Sequence, residues 1–172
     1  QSRQKEFKYE LKILKKFANK CKSYFLCIEE VYIQNGTDDQ ALVMELLEGI
    51  ELKKYLKDFK IQLLNKLITA VEELHKFNIA HKDIKPANIN YDEKTKTVKL
   101  IDYGVSCIEQ LCNWGGSPFY MHPKLRNNRK KYPLKTWQMN DWYSLYIIAT
   151  IDLNIKEDHP DIVWLKNKFK LI

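Results

Sequence analysis

Apolar residues recur along this chain with two different periods, and the switches between them outline its elements. Phe7, Leu11, Leu14 and Phe17/Ala18 fall at helical spacing with lysines between them, which predicts an amphipathic helix over residues 3–20. Phe25 to Gln34 and Gln40 to Leu47 are rich in β-favouring residues and flank the turn-forming cluster Asn35-Gly36-Thr37-Asp38-Asp39, so they predict a hairpin. Gly49 ends the second strand, and Glu51 to Phe59 predicts a short helix. From Ile61 to Phe77, Leu63, Leu64, Leu67, Ile68, Val71 and Leu74 share one broad face, the mark of a well-buried helix. Short strands follow at Asn88 to Tyr91 and Thr97 to Ile101, around the turn Asp92-Glu93-Lys94. A loop-rich stretch is expected from Val105 to Lys135, then an apolar helix from Asp141 to Ile151 and an amphipathic one from Asp161 to Ile172. No internal repeat interrupts this order.

Composition changes the picture in three ways. A chain of 172 residues with 45% apolar content is long enough for one soluble globular domain with a real core. Its 29 lysines and arginines against 22 acids give a net charge of +7, which favours anionic partners, although the excess reads as spread over many helices. Cys21, Cys27, Cys107 and Cys112 form no C-x-x-C pair and have no histidine at zinc-ligand spacing. The expectation is reduced thiols in an intracellular, cytoplasmic compartment. The amino terminus is polar, and the most apolar helix, Tyr143 to Leu153, is too short for a bilayer and contains Asp152.

The chemistry concentrates in His81-Lys82-Asp83-Ile84-Lys85-Pro86-Ala87-Asn88. Eight positions hold an acid able to accept a hydroxyl proton, a lysine able to steady a moving phosphoryl group, and an amide able to ligate magnesium. Nineteen residues after Asp83 comes Lys99-Leu100-Ile101-Asp102-Tyr103-Gly104, a strand that ends in a carboxylate. Gly116-Ser117-Pro118-Phe119-Tyr120-Met121-His122-Pro123-Lys124 and Asp141-Trp142-Tyr143-Ser144-Leu145 complete the series.

The first run resembles the catalytic loop of protein kinases, H-R-D-L-x-x-x-N, with Lys82 where arginine is usual. The second resembles the D-F-G magnesium motif, the third the close of the activation segment, and the fourth the helix whose aspartate braces the catalytic loop. Lys85-Pro86 looks like the serine/threonine class. The resemblance covers roughly residues 3–153. It implies an α+β, protein-kinase-like fold with a mostly helical C-terminal lobe at 48–172 and a remnant of the N-terminal lobe, one helix and a hairpin, at 1–47.

The resemblance assigns roles residue by residue. Asp83, Lys85, Asn88 and Ser117 are implied as catalytic, and Asn88 with Asp102 as magnesium ligands. Met44 resembles the gatekeeper, the backbones of Glu45 and Leu47 the adenine-binding hinge, and Glu51 a ribose or substrate contact. Asn90 and Ile101 line the implied adenine site, Asn90 as a polar floor where an apolar residue is usual. Glu10 resembles the regulatory-helix glutamate that pairs with a strand-three lysine. ATP and Mg2+ are the implied cofactors, and a protein with a serine or threonine acceptor the implied partner, with neither nucleic acid nor membrane.

Departures from the family pattern frame the alternative. None of the five glycines forms G-x-G-x-x-G, and no V-A-I-K-like strand precedes Glu10. The expectation is an incomplete kinase, a fragment or processed product impaired alone, with a pseudokinase scaffold as the second reading. Lys124 stands where the family has a glutamate, so the anchor of that segment is expected to be absent or rebuilt. A small-molecule kinase fits worse, because Lys85-Pro86 and the Gly116 to Pro123 stretch argue against it. Two further readings are plain: Ser106 as a switch hydroxyl or a loop serine, and Arg126, Arg129, Lys130, Lys131 and Lys135 as a dock for acidic sequences or a solvated loop.

Overall fold

Apolar periodicity becomes burial first in the N-terminal helix. In a computed structural model, which describes residues 2–17, 21–34, 40–48, 50–51, 60–92 and 94–170, α1 runs Ser2–Lys16. Its buried face is Leu11, Ile13 and Leu14, continued by Phe17, so the stripe gains Ile13, while the expected Phe7 is only half-buried. Ala18 lies outside the described residues. A single turn, α2 (Cys21–Tyr24), leads to β1 (Ile28–Ile33), which pairs antiparallel with β2 (Gln40–Met44) as the hairpin pattern predicts. The turn between them lies outside the described residues.

Ile50–Glu51 is a strand, β3, laid antiparallel on β4 (Ile89–Asp92), which pairs in turn with β5 (Thr97–Leu100). The helix expected from Glu51 therefore cannot begin there, because Glu51 is extended opposite Asn90; the rest of that helix lies outside the described residues. Helix α3, Lys60–Lys76, buries Leu63, Leu64, Leu67, Ala70, Val71 and Leu74, a stripe at 3.6-residue spacing. Asn88 closes a 3-10 turn (Pro86–Asn88) and is not the first residue of β4.

The stretch expected to be loop is more structured. It holds β6 (Leu111–Cys112) paired with β7 (Tyr132–Pro133), the short helix α4 (Pro123–Arg126), and the start of α5 at Leu134. Helix α5 (Leu134–Ile147) thus begins seven residues before the expected Asp141, and a π-helical turn (Ile148–Asp152) continues it. Trp137 and every residue from Asn140 to Leu145 are buried, so the helix has no polar side and no amphipathic period to read. Helix α6, Pro160–Phe169, packs against α5. One cluster holds Ile13, Leu14 and Phe17 of the N-terminal region together with Leu64, Tyr103, Leu145 and Leu165. No helix among the described residues is long and apolar enough to cross a membrane.

The cysteines correct a second expectation. All four are bonded, Cys21 to Cys27 and Cys107 to Cys112. Turns that fold back within six and five residues bring the Cα atoms to 4.9 and 5.9 Å, a proximity that spacing alone does not reveal. Reduced thiols were the basis for a reducing compartment, and that basis is gone.

Candidate active site

A buried carboxylate needs donors, and that of Asp83 has three. Its Oδ2 accepts from Lys85 Nζ at 2.7 Å and from Asn88 Nδ2 at 3.1 Å. Its Oδ1 accepts from the Ser117 backbone N–H at 2.7 Å, and its backbone carbonyl takes a second Asn88 bond at 3.0 Å. Burial alone would push its carboxyl up, but the bonds from Lys85 and Ser117 outweigh it and hold the group below the ordinary range. Lys85 Nζ also reaches Ser117 Oγ at 3.1 Å, so Asp83, Lys85, Asn88 and Ser117 converge at one point. The arrangement sets an ionised carboxylate beside a lysine ammonium and a serine hydroxyl.

The loop carrying Asp83 is held from below. Asp141, fully buried on α5, accepts from the backbone N–H groups of His81 and Lys82 at 2.9 and 2.8 Å, and pairs with His75 Nε2 at 3.0 Å. His81 bonds the Ile101 carbonyl through Nε2 at 3.1 Å, and Ser106 Oγ donates to the His81 carbonyl at 3.1 Å. Ser106 is thus buried inside the support of the loop. Lys82 packs its ammonium 4.9 Å from the Trp137 ring centroid, and burial, opposed by Asp141, drags its pKa down to about 8.

Asp102 follows β5 with a left-handed φ of 63°, and its side chain is exposed. Asn88 directs both amide hydrogens at Asp83, and among the described residues its oxygen accepts from no donor. That donor set, one carboxylate and one amide oxygen, suits a magnesium ion that takes its other oxygens from phosphate and water. Among the described residues no group of three His, Cys, Asp or Glu side chains forms a fuller metal cage. Tyr103 buries its ring between Phe17 and His81, and its hydroxyl finds the Leu100 carbonyl at 2.8 Å. That bond explains why tyrosine is tolerated where phenylalanine is usual.

Glu10 lies against this segment. Burial first, then the Asp102 charge, push its carboxyl up, while a bond from the Tyr103 backbone N–H pulls the other way. Its neighbours are therefore the Asp102 carboxylate and a backbone donor. Tyr9, one residue earlier, accepts from the Ile108 N–H through its hydroxyl at 3.1 Å, so α1 touches the activation segment directly.

The hinge residues are spread differently. Met44 ends β2 and is partly exposed. Glu45 turns its side chain inward, accepting from Cys27 N–H at 2.8 Å and pairing with the buried Lys99, while its own N–H is taken by the Cys27 carbonyl. Leu47 packs on the core. Asn90 and Ile101 are half-buried, Asn90 in register with Lys99 and with the backbone of Glu51, and the Glu51 side chain lies outside the described residues.

The anchor expected to be absent or rebuilt at Lys124 is rebuilt, with Arg126 and Asn140 as the members that motif matching did not single out. Arg126 clasps the Met121 carbonyl through Nε at 2.6 Å and the Phe119 carbonyl through Nη2 at 3.1 Å. Asn140 Oδ1 accepts from the His122 N–H at 2.9 Å, and Ser144 Oγ donates to the Tyr120 carbonyl at 2.8 Å. His122 Nδ1 caps α4 by accepting from the Lys124 N–H. Arg126 reads in the sequence only as one member of a basic run, and nothing there signals its hold on the two carbonyls.

The protein kinase domain family matches residues 1–160, and this chain belongs to it. A probable serine/threonine-protein kinase, mkcD, of Dictyostelium discoideum is 33% identical over 129 residues, which is 69% of this chain and 19% of that protein. A probable myosin light chain kinase of the same organism is 30% identical over 135 residues, 70% of this chain and 33% of that one. The probable serine/threonine-protein kinase HSL1 of Saccharomyces cerevisiae is 29% identical over 73% of this chain and 9% of its own length. The chain thus spans a third or less of these relatives. Among solved structures, the Cydia pomonella granulovirus kinase PK-1 superposes with a TM-score of 0.65 at 25% identity, over 88% of this chain and 59% of that one. The fold is α+β and protein-kinase-like, as the order of elements predicts.

Proposed function

We propose that this chain carries the catalytic centre of a serine/threonine protein kinase that transfers the γ-phosphoryl group of ATP to a protein hydroxyl. The observation that carries the reading is the convergence of Lys85, Asn88 and Ser117 on the Asp83 carboxylate. ATP supplies the phosphoryl group, and magnesium offsets the charge on its phosphates. Asp83, kept ionised, orients the acceptor hydroxyl and takes its proton. Lys85, whose Nζ lies 2.7 Å from Asp83 Oδ2, neutralises charge on the transferring group. Asn88 and Asp102 are the groups that would hold the metal, and Met44, Glu45, Leu47, Glu51, Asn90 and Ile101 those that would border the nucleotide. We divide the chain at 47/48 into the two partial lobes, and ATP use implies an intracellular setting.

The test is transfer of labelled phosphate to generic serine and threonine peptides, with Asp83→Asn beside the unaltered protein. A loss of about 10²-fold or more is expected. Unchanged activity in the variant sinks the mechanism.

Glu10 favours a second reading. Its carboxylate faces Asp102 and the Tyr103 N–H, an arrangement suited to holding the segment in place as well as to pairing with a lysine. A pseudokinase scaffold is therefore the alternative. A thermal-shift titration with Mg-ATP separates the two, since stabilisation follows nucleotide affinity. A flat response favours the scaffold.

A further inference from the structure

One stretch near the candidate site carries cations with no acid among them. From Leu111 to Asn140 stand Lys124, Arg126, Arg129, Lys130, Lys131 and Lys135, with no aspartate or glutamate. Six of the chain's 29 cations lie there with none of its 22 acids, and residues 1–22 hold a second excess of eight cations against two acids.

The fold lays this segment beside the acceptor site. Ser117, bonded to Asp83 and Lys85, is three residues from Trp114, whose Nε1 donates to the Leu125 carbonyl at 2.8 Å. The Arg129 guanidinium stacks 4.9 Å from the Trp114 ring centroid, and Lys130 stands 5.3 Å from that of Tyr132. Pairing of Cys112 with Tyr132 fastens the far end of the basic loop to the activation segment. Arg126 is engaged with the Phe119 and Met121 carbonyls, and the Phe119 ring is exposed on the same stretch.

Arg129, Lys130, Lys131 and Lys135 are exposed, and no carboxylate among the described residues pairs with them. Elsewhere on the surface Lys76, Lys94 and Lys166 do find acids. Like charges gathered without counter-charges repel one another and raise the local potential, and an anionic segment relieves both effects.

We propose that this ledge docks acidic segments of the protein substrate, with carboxylates or phosphates flanking the acceptor hydroxyl, and makes the enzyme select acidic sequences. The proposal rests on the phosphotransfer reading for the word substrate, whereas the docking itself does not. Arg129, Lys130 and Lys131 form its centre, with Lys135 at its edge. The two stacked cations are held in place by aromatic rings, so less side-chain freedom is lost on binding.

Fluorescence anisotropy tests it with three labelled peptides around one serine, flanked by aspartates, by phosphoserines or by glutamines, and with a single-stranded RNA of matching charge. Either acidic peptide is expected to bind about tenfold tighter than the glutamine peptide, and the tighter of the two names the anion. The combined variant Arg129→Gln, Lys130→Gln, Lys131→Gln should erase that preference, while Lys156→Gln with Lys170→Gln should keep it. Rising salt should weaken the acidic peptide alone, a readout on the unaltered protein that needs no variant. Equal binding of acidic and glutamine peptides overturns the proposal, as does a preference that survives the triple change. RNA bound as tightly as the acidic peptides also overturns it, as a general polyanion surface. If the acidic peptide docks but labelled ATP never modifies it, phosphotransfer fails and the dock stands.

Discussion

Around the catalytic loop the polar groups are buried, whereas in the β1–β2 hairpin the apolar ones are exposed. His81, Asn140 and Asp141 are fully enclosed, and Lys82, Asp83 and Ser106 nearly so. Tyr32, Ile33, Val43, Met44 and the following Leu46 face solvent. The first region is secure because its polar atoms satisfy one another, with His81 Nδ1 and Asn140 Nδ2 left over. The second is a two-stranded sheet fastened to the core through Ile28, Leu42 and Leu47, and through Glu45 on Lys99. The residues proposed for proton transfer therefore stand in the self-supporting part, and those proposed for adenine stand at the edge of the other.

The most direct way to break this comparison is Asp141→Ala. It removes the acceptor of two backbone N–H groups and of His75 at a site with no water access. The expected cost is about 3–5 kcal/mol of unfolding free energy. Urea unfolding measures it, and a loss under about 1 kcal/mol would show that the loop does not depend on Asp141. Asp141→Asn keeps one acceptor and should fall between.

The cysteine pairs probe both regions with one reagent. Cys107–Cys112 fastens the activation segment next to the Ala80–Cys107 bridge, and Cys21–Cys27 lies at the root of the hairpin. Each closes a short loop, so reduction is expected to lower stability by about 2 kcal/mol per pair. Cys107→Ser with Cys112→Ser, and Cys21→Ser with Cys27→Ser, assign the two losses in thermal melts with and without dithiothreitol. A melt unmoved by the reductant would mean that the thiols are free in solution.

Lys82 gives a pH signature to the buried region. Its folded pKa is about 8, against 10.5 for an ordinary lysine, because burial outweighs the attraction of Asp141. Between those values the unfolded chain binds more protons, so this group makes stability rise with pH above about 8 and contributes no slope well below it. Tyr120 and Tyr146, raised by burial to about 12, act oppositely above pH 10, which confines the window to roughly pH 8–10. Lys82→Met should flatten the rise in that window. Equal slopes in variant and parent would place the ammonium in water.

How far these regions can be read from the sequence differs for a physical reason. Asp83, Lys85, Asn88 and Asp102 stand out because phosphoryl transfer needs fixed residue types at fixed spacing, and α3 stands out because one side of it is wet. Helix α5 was readable only from Asp141 onward, since Trp137 and Asn140 are buried on a helix with no polar face. The Arg126 clasp and the two disulfides depend on how turns fold back, which no local pattern encodes. The basic run was legible in the sequence as a dock for acidic sequences or a solvated loop, and what no local pattern encodes is the pair of rings, Trp114 and Tyr132, on which Arg129 and Lys130 rest.

The smallest expected effect sharpens the comparison from the hairpin side. Tyr32→Ser and Ile33→Thr each remove apolar surface that is already more than half exposed, so unfolding free energy should change by less than about 0.5 kcal/mol. Leu42→Ala, on the side that packs against the core, should cost about 1 kcal/mol or more. Chemical denaturation of the three variants side by side reads the contrast directly. Similar losses at Tyr32, Ile33 and Leu42 would mean that both faces of the hairpin are covered in solution. The hairpin would then be a packed sheet rather than a fastened edge, and its residues proposed to border adenine would stand on support as firm as that beneath Asp83.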